Sequence, residues 1–240
     1  MHAPQVHVFP TADATAKAVA AYLAKALNDR PSLRLGLATG NTFVPIYAAL
    51  VDLYRAGGFS FSQAASFNLD EYIGLPKGHP ASFAAYMEQH LFSHVDLPAG
   101  KGQLPRVEGD IAAACKDYEA SIAAGGIDLQ VLGIGRNGHI GFNEPGSDFS
   151  SRTREVALAR STREANRGDF PPGDSVPPTA VTMGIGTICE ARQIILVAIG
   201  ESKAEALRTA FQSPATPDCP ASALQTHPNV LVFCDRAASQ

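Results

Sequence analysis

The chain has 240 residues, 18% charged and 45% hydrophobic, with a net charge of -4. That length allows one large domain with an ample core, or two small ones, and the composition fits a soluble α/β protein with many short turns and no low complexity. The slightly negative balance excludes a general polyanion-binding surface, and with it nucleic acid as the main partner, while leaving room for a local basic pocket that takes a small anion.

Cys115, Cys189, Cys219 and Cys234 form no C-x-x-C pair, so zinc spacing and a redox motif are both missing and four reduced thiols are expected. The start, MHAPQVHVFPTADATAK, has no basic segment leading into an apolar run, and no apolar stretch approaches about 18 residues. A cytoplasmic protein without a membrane anchor is expected.

Val6–Phe9 reads as a first strand, and Thr11 caps a helix to about Asn28 with Val19, Tyr22, Leu23, Ala26 and Leu27 on one face. Leu33–Leu37 alternates into a second strand. Behind it come Ala38-Thr39-Gly40-Asn41-Thr42 and a helix with Pro45 in its first turn and Ile46, Tyr47, Leu50, Val51, Leu53 and Tyr54 at helical spacing. A strand, a Thr-Gly-Asn-Thr turn and a helix can aim backbone N–H groups and a helix dipole at a phosphate, or can be an ordinary capped turn. The turn lacks the Lys-Ser/Thr ending of a nucleoside-triphosphate loop.

Ala65–Asn68 reads as a third strand, with Asp70-Glu71-Tyr72 at its carboxyl end, where ligands collect in an open parallel sheet. The two carboxylates suit either proton transfer or a helix cap. Ser82 caps a helix through about Leu91. His90 and His94, four apart, lack a third metal ligand at a recognisable spacing and read as helix-end histidines. Ile111–Ala124 is a helix closed by Gly125-Gly126.

The stretch that organises the chain follows, DLQVLGIGRNGHIGFNEPGSD, from Asp128 to Asp148. Its apolar start suits a buried strand, and its glycines crowd around Asn137, His139, Asn143 and Glu144, as a polar loop at an active site requires. Gly133-x-Gly135-x-x-Gly138 has dinucleotide-binding spacing, with Glu155 placed for a ribose. That fingerprint needs a helix after its third glycine, and Gly141, Pro145 and Gly146 oppose one, at about 1 kcal/mol per glycine and about 3 for proline.

A strand over Glu155–Ala159 precedes STREANRGDFPPGDSVPP. This polar segment, about residues 160 to 178, has no period beyond its first few residues and reads as a mobile lid. Thr179–Cys189 is expected as a helix, Gln193–Ala198 as a strand, Gly200-Glu201-Ser202-Lys203 as the opening of a helix to about Phe211, and Asn229–Cys234 as a last strand. Strands alternating with helices predict an α/β fold. We expect a single domain over residues 1 to 240, a three-layer sandwich whose mainly parallel, Rossmann-like sheet is flanked by helices.

LGLATGNT, FNLDEYIGLP, LGIGRNGHIGFNEPG followed by SRT, and IGESKAEAL together resemble the glucosamine-6-phosphate deaminase family over nearly the whole chain. The resemblance implies a cofactor-free aldose–ketose isomerisation with loss of ammonia, a hydrolase in net stoichiometry, acting in amino-sugar catabolism on a small amino-sugar phosphate. It implies Asp70 as the base between sugar carbons C2 and C1. It implies His139 as the ring-opening group, with Asn137 and Glu144 tuning or orienting it, and Thr39, Gly40, Asn41, Thr42 and Lys203 as phosphate holders.

Three positions depart from the family pattern. Asn137 stands where some relatives have Asp, Gly40-Asn41 where Gly-Gly is usual, and Asn166-Arg167-Gly168 where relatives show Asn-x-Arg, which leaves Arg167 as the stand-in lid arginine. Asn41 is expected to take the left-handed backbone. The chain stops soon after Asp235, shorter than the allosteric members, so activation by N-acetylglucosamine 6-phosphate is not expected. Galactosamine-6-phosphate deaminase, 6-phosphogluconolactonase and a non-catalytic sugar-phosphate sensor are the competing readings. The intact Asp70-Glu71-Tyr72 argues against the lactonase, and the little-basic N-terminus argues against a DNA-binding regulator.

Overall fold

Apolar strands punctuated by capped helices produce the alternation that the sequence leads one to expect, in a computed structural model that describes residues 3 to 240. The elements are β1 (Gln5–Phe9), α1 (Ala12–Asp29), β2 (Arg34–Leu37), α2 (Val44–Arg55), β3 (Ala65–Asn68), β4 (Asp70–Tyr72), α3 (Phe83–His90), β5 (Gly102–Gln103) and α4 (Ile111–Ala123). There follow β6 (Leu129–Gly133), β7 (Arg154–Ala157), α5 (Arg160–Asn166), β8 (Thr179–Thr182), α6 (Ile185–Cys189), β9 (Gln193–Ala198), α7 (Ala204–Gln212) and β10 (Val230–Asp235).

Seven strands form one sheet in the order β1-β10-β9-β6-β2-β3-β5. Every pair in it is parallel. Its central strands, β6 and β9, are buried on both faces, so they are mostly apolar with no polar alternation; β6 is broken only by the buried Gln130, and β9 runs apolar from Ile194 to Ala198. Helices flank the sheet. Thr11 caps α1 by accepting the Ala14 N–H, and Val19, Leu23 and Leu27 are buried as their spacing demands.

The chain runs outward from β2 to β3 in one direction and from β6 through β9 to β10 in the other. Strand order therefore reverses between β2 and β6. The loops leaving those two neighbours diverge, and a crevice opens at their carboxyl ends.

Three expectations are corrected. Thr179–Cys189 is a strand followed by a short helix, because the β-branched run Thr179–Thr182 pairs antiparallel with both β4 and β7 in a second, three-stranded sheet. Gly184 separates the two pieces where the backbone of Ser151 leaves no space for a Cβ. Asp70-Glu71-Tyr72, expected simply at the carboxyl end of β3, is a strand of that second sheet in its own right. The segment over 160 to 178 contains α5 and a 3-10 turn at Arg167–Asp169, and it buries Phe170 and Val176 in a small apolar cluster with Tyr72, Phe142, Leu158 and Ala180. Its polar composition hid a helix whose inward residues are few.

At the amino ends of β2, β6 and β9, far from the crevice, the Asp128 carboxylate is 4% exposed. It accepts from the Arg34 N–H at 2.9 Å and from the guanidinium groups of Arg30 and Arg192 at 2.6 Å each. Removing the acceptor strands a buried N–H and two half-exposed cations. Asp128→Ala should therefore lower unfolding free energy by about 2 kcal/mol in denaturant titration. An unchanged midpoint would show that the knot carries no net stability.

Candidate active site

The crevice is a cavity of about 760 Å³ lined from four chain segments: the turn after β2, the end of β3 with β4, the loop after β6, and α5. Lys203 closes it from the start of α7. Asp70, His139, Asn137, Thr39, Gly40, Asn41, Thr42 and Lys203 all lie on its wall, so the sequence-derived residues converge.

One end is cationic. Gly40, at φ 103, turns the chain after Ala38, and its carbonyl accepts from the Phe43 N–H and the Tyr86 hydroxyl, both at 2.9 Å. The left-handed residue is Gly40; Asn41 takes an ordinary conformation, contrary to expectation, because glycine already supplies the bend. No side chain caps α2, so its first N–H groups remain available to an anion, with the dipole's positive end behind them. Lys203 and Arg136 line the same cavity, close enough for their charges to interact, and neither has an acidic partner among the described residues. Burial, and then the nearby Arg136 charge, push the Lys203 ammonium below its usual range.

The loop after β6 presents His139. Gly138 turns left-handed, and the Gly135 N–H donates to the His139 carbonyl at 2.9 Å, folding the chain back on itself. The imidazole then lies where a Cβ on Gly135 would come within 2.2 Å of the ring, so only glycine fits there. No helix follows Gly138, and the dinucleotide reading fails on the observed structure. His139 Nδ1 is 2.7 Å from Asn137 Oδ1, and Asn137 Nδ2 donates to Glu144 Oε2 at 2.8 Å. An amide oxygen only accepts, so Nδ1 carries the hydrogen and Nε2 keeps its lone pair. Burial lowers the His139 pKa; Glu144 opposes that and Lys203 adds to it. The neutral ring is thus favoured near neutrality.

Asp70 is 6% exposed and finds no side-chain donor among the described residues. Burial, then the neighbouring Glu71, raises its pKa to about 8. Glu71 has the other fate considered for this pair: it accepts from the N–H groups of Tyr72 and Phe83 at 2.9 Å and Ala84 at 2.8 Å, capping α3. One carboxylate faces the cavity and the other holds a helix.

The two arms meet through the small sheet. Asp70 pairs with Thr182, whose hydroxyl accepts the Phe142 N–H at 3.1 Å. Asn143, fully buried, donates to the carbonyls of Ile140 and Met183 and accepts from Arg154, each at 2.9 Å.

Arg167 is corrected: it is exposed in the 3-10 turn after α5 and lies off the cavity wall, to which this segment contributes Ser161, Thr162, Ala165, Asn166 and Asp169. Arg136 went unnoticed in the sequence although it sits inside the glycine-rich loop; its position beside Asn137 was the available signal. Thr162, whose hydroxyl donates to Glu144 Oε1, carried no signal because it lies on a helix not foreseen. Among the described residues no cluster of three or more His, Cys, Asp or Glu is placed for a metal. His90 packs on Tyr86, and His94 hydrogen-bonds the Gln89 carbonyl.

Residues 10–233 match the family described as glucosamine-6-phosphate isomerases/6-phosphogluconolactonase. A protein of Rhodopirellula baltica named glucosamine-6-phosphate deaminase is 48% identical, over 98% of this chain and 94% of its own. One of the same name from Geobacillus sp. is 50% identical, over 88% and 85%. A solved structure described as a monomeric glucosamine-6-phosphate deaminase superposes with a TM-score of 0.94 at 42% identity, covering 98% of both chains. The 6-phosphogluconolactonase of Thermotoga maritima, at a TM-score of 0.75 and 19% identity over 97% of this chain and 100% of its own, shares the fold.

The raised Asp70 pKa has a consequence for stability. Between the unfolded value near 4 and the folded value of about 8, the folded state holds a proton that the unfolded state has lost, so stability falls as pH rises through that window. Asp70→Asn should remove this loss, raising unfolding free energy by an amount that grows from pH 4 to pH 8, on the order of a few kcal/mol at its largest. Denaturant melts of both proteins across that range measure it, and a pH-independent difference would contradict the burial argument.

Proposed function

The chain belongs to the glucosamine-6-phosphate isomerase/6-phosphogluconolactonase family, and from that membership we propose that it converts glucosamine 6-phosphate and water to fructose 6-phosphate and ammonium. One observation carries the reading: a buried carboxylate, a neutral imidazole and an uncapped helix start flanked by two unpaired cations share one cavity.

The steps follow from those positions. The substrate phosphate sits against the backbone of Thr39–Thr42 and Lys203, where charge-assisted bonds contribute about 1.5–3 kcal/mol each. Arg136 joins them, in the role that Arg167 does not fill. His139 Nε2 takes the proton from the anomeric hydroxyl and hands it to the ring oxygen as the bond from that oxygen to C1 breaks, opening the pyranose to the C1 aldehyde. Ionised Asp70 removes the C2 hydrogen as a proton, the electron pair forms the C1–C2 double bond while the C1 carbonyl oxygen takes a proton from the neighbouring C2 ammonium, and the same carboxyl returns its proton to C1 as the nitrogen lone pair moves in toward C2. The nitrogen on C2 is then an imine; water adds there and ammonia leaves. Asn137 and Glu144 hold the imidazole in the tautomer this needs. Beyond that transfer within the substrate, only carboxylate and imidazole proton transfers are required. The hydrolase description attaches to the net water uptake alone, and deamination with isomerisation is the chemistry.

The same reading assigns residues 1 to 240 to one domain and the segment over 160 to 178 to a lid above the sugar. Among the described residues no helix is long and apolar enough to cross a membrane, and a cytoplasmic role in amino-sugar metabolism suits this substrate.

The purified protein should release ammonium and fructose 6-phosphate in equal amounts from glucosamine 6-phosphate. Asp70→Asn should abolish turnover while leaving sugar-phosphate binding largely intact; unchanged turnover would remove Asp70 from the mechanism. Because the ionised carboxylate is the active form, kcat/KM should rise with pH up to about 8 and then level. A parallel assay on galactosamine 6-phosphate reads the gluco preference, and faster turnover of the galacto sugar would overturn the stated substrate.

A further inference from the structure

We infer that Thr162, on helix α5, is a positioning residue for His139: its hydroxyl anchors the Glu144 carboxylate, which through Asn137 dictates which ring nitrogen carries the hydrogen. The inference rests on His139 as the ring-opening group of the reaction above and extends its support onto a separate helix.

The hydrogen bonds run in one direction. The Thr162 hydroxyl donates to Glu144 Oε1, the Asn137 amide donates to Glu144 Oε2 at 2.8 Å, and Asn137 Oδ1 is left to accept from His139 Nδ1 at 2.7 Å and, at a longer 3.3 Å, from the His139 backbone N–H. A carboxylate only accepts, so the Asn137 NH2 must face Glu144 and its oxygen must face the ring. The order cannot be reversed while Glu144 stays in place.

Two side chains hold that carboxylate, Asn137 and Thr162. Lose the second and it pivots about the first. Thr162 is 8% exposed, which keeps its hydroxyl from exchanging Glu144 for bulk water. The charged groups acting on His139 are Glu144, on its own loop, and Lys203, from the turn before α7. The contribution of α5 is therefore a neutral hydroxyl that fixes geometry.

A second contact shows that α5 is seated on both catalytic arms. Asn166 lies four residues on, on the same helix face, and its Nδ2 donates to the Tyr72 hydroxyl at 2.8 Å. Tyr72 is two residues from Asp70 in β4. One turn of helix thus touches the carboxylate arm with one residue and the imidazole arm with the other. If α5 lifts, Glu144 loses an anchor and His139 its enforced tautomer, so the chemistry is competent only when the helix is down.

The test is Thr162→Val, which keeps the shape and removes the donor, with Thr162→Ser as the variant that restores it. The imidazole 15N shifts of the full-length, substrate-free protein read the tautomer, with the His139 resonances identified by their loss in His139→Gln. Thr162→Val should move the neutral ring from Nδ1–H toward a mixture rich in Nε2–H and lower kcat about tenfold with KM little changed, the loss of about one hydrogen bond. Thr162→Ser should return both. Unchanged shifts, with or without a fall in kcat, would overturn the relay, and so would a moved tautomer with kcat intact. If wild-type protein turned over no glucosamine 6-phosphate, the proposed function would fail while the 15N shifts still reported whether Thr162 orients the ring.

Discussion

A buried amide joins the two halves of this site. Asn143 reaches the Met183 carbonyl from the loop that carries His139, and the strand leading to Met183 pairs with Asp70. Buried polar groups of this kind have no neutral alternative, because each unmade bond costs about 1–3 kcal/mol. Asn143 satisfies both of its N–H groups and its oxygen, with two carbonyls and a guanidinium. The separation of carboxylate from imidazole is thereby tied to the backbone just past the end of β8 and not left to two independent loops. Everything the cavity does depends on that fixed separation.

The large parallel sheet supplies the place and the small antiparallel sheet supplies the precision. Reversal of strand order between β2 and β6 leaves a crevice that any anionic ligand could enter, and the fold is shared with proteins named for lactone hydrolysis. What separates the chemistries lies in the side chains at the rim. Asp70 is held with no donor in a buried position, so it resists ionisation, which suits the role proposed for it of taking a proton and returning it. Its neighbour Glu71, one residue on, is tied by three N–H groups and cannot compete for the substrate. Alternation along a strand turns adjacent side chains to opposite faces, and that alone divides the labour between two carboxylates that look equivalent in the sequence.

The sequence was legible wherever local physics decided the outcome. Thr11, Ser82 and Pro45 marked helix starts, β6 and β9 announced themselves as largely apolar runs, and the glycine-rich loop gave the imidazole arm. It was illegible where partners distant in sequence decided. Thr179–Thr182 has no intrinsic label that separates a strand from the start of a helix; pairing with β4 and β7 on either side makes it a strand. The segment containing α5 looked structureless because only Thr162 of that helix is buried. Arg167 was a stand-in for a family pattern whose arginine slot is filled by Gly168, and the arginine found on the cavity wall, beside the expected Lys203, is Arg136. A charge can migrate between elements while the anion it meets stays put, and a motif read along one loop cannot show that.

Asn137 carries this point into the chemistry. An aspartate there would both orient His139 and raise its basicity by proximity of charge, whereas an amide does the first alone. In this chain the charge has not vanished; it stands one bond further away on Glu144, at 3.8 Å from His139 Nδ1. The imidazole thus feels a weaker pull toward protonation than a directly bonded carboxylate would exert, while Lys203 and burial push it the other way. A ring that opens a sugar must accept a proton and also release it, and a base held too tightly protonated would stall after the first transfer. In the ring-opening role proposed for His139, a neutral amide between acid and ring keeps the orientation that a carboxylate would give and leaves the proton mobile.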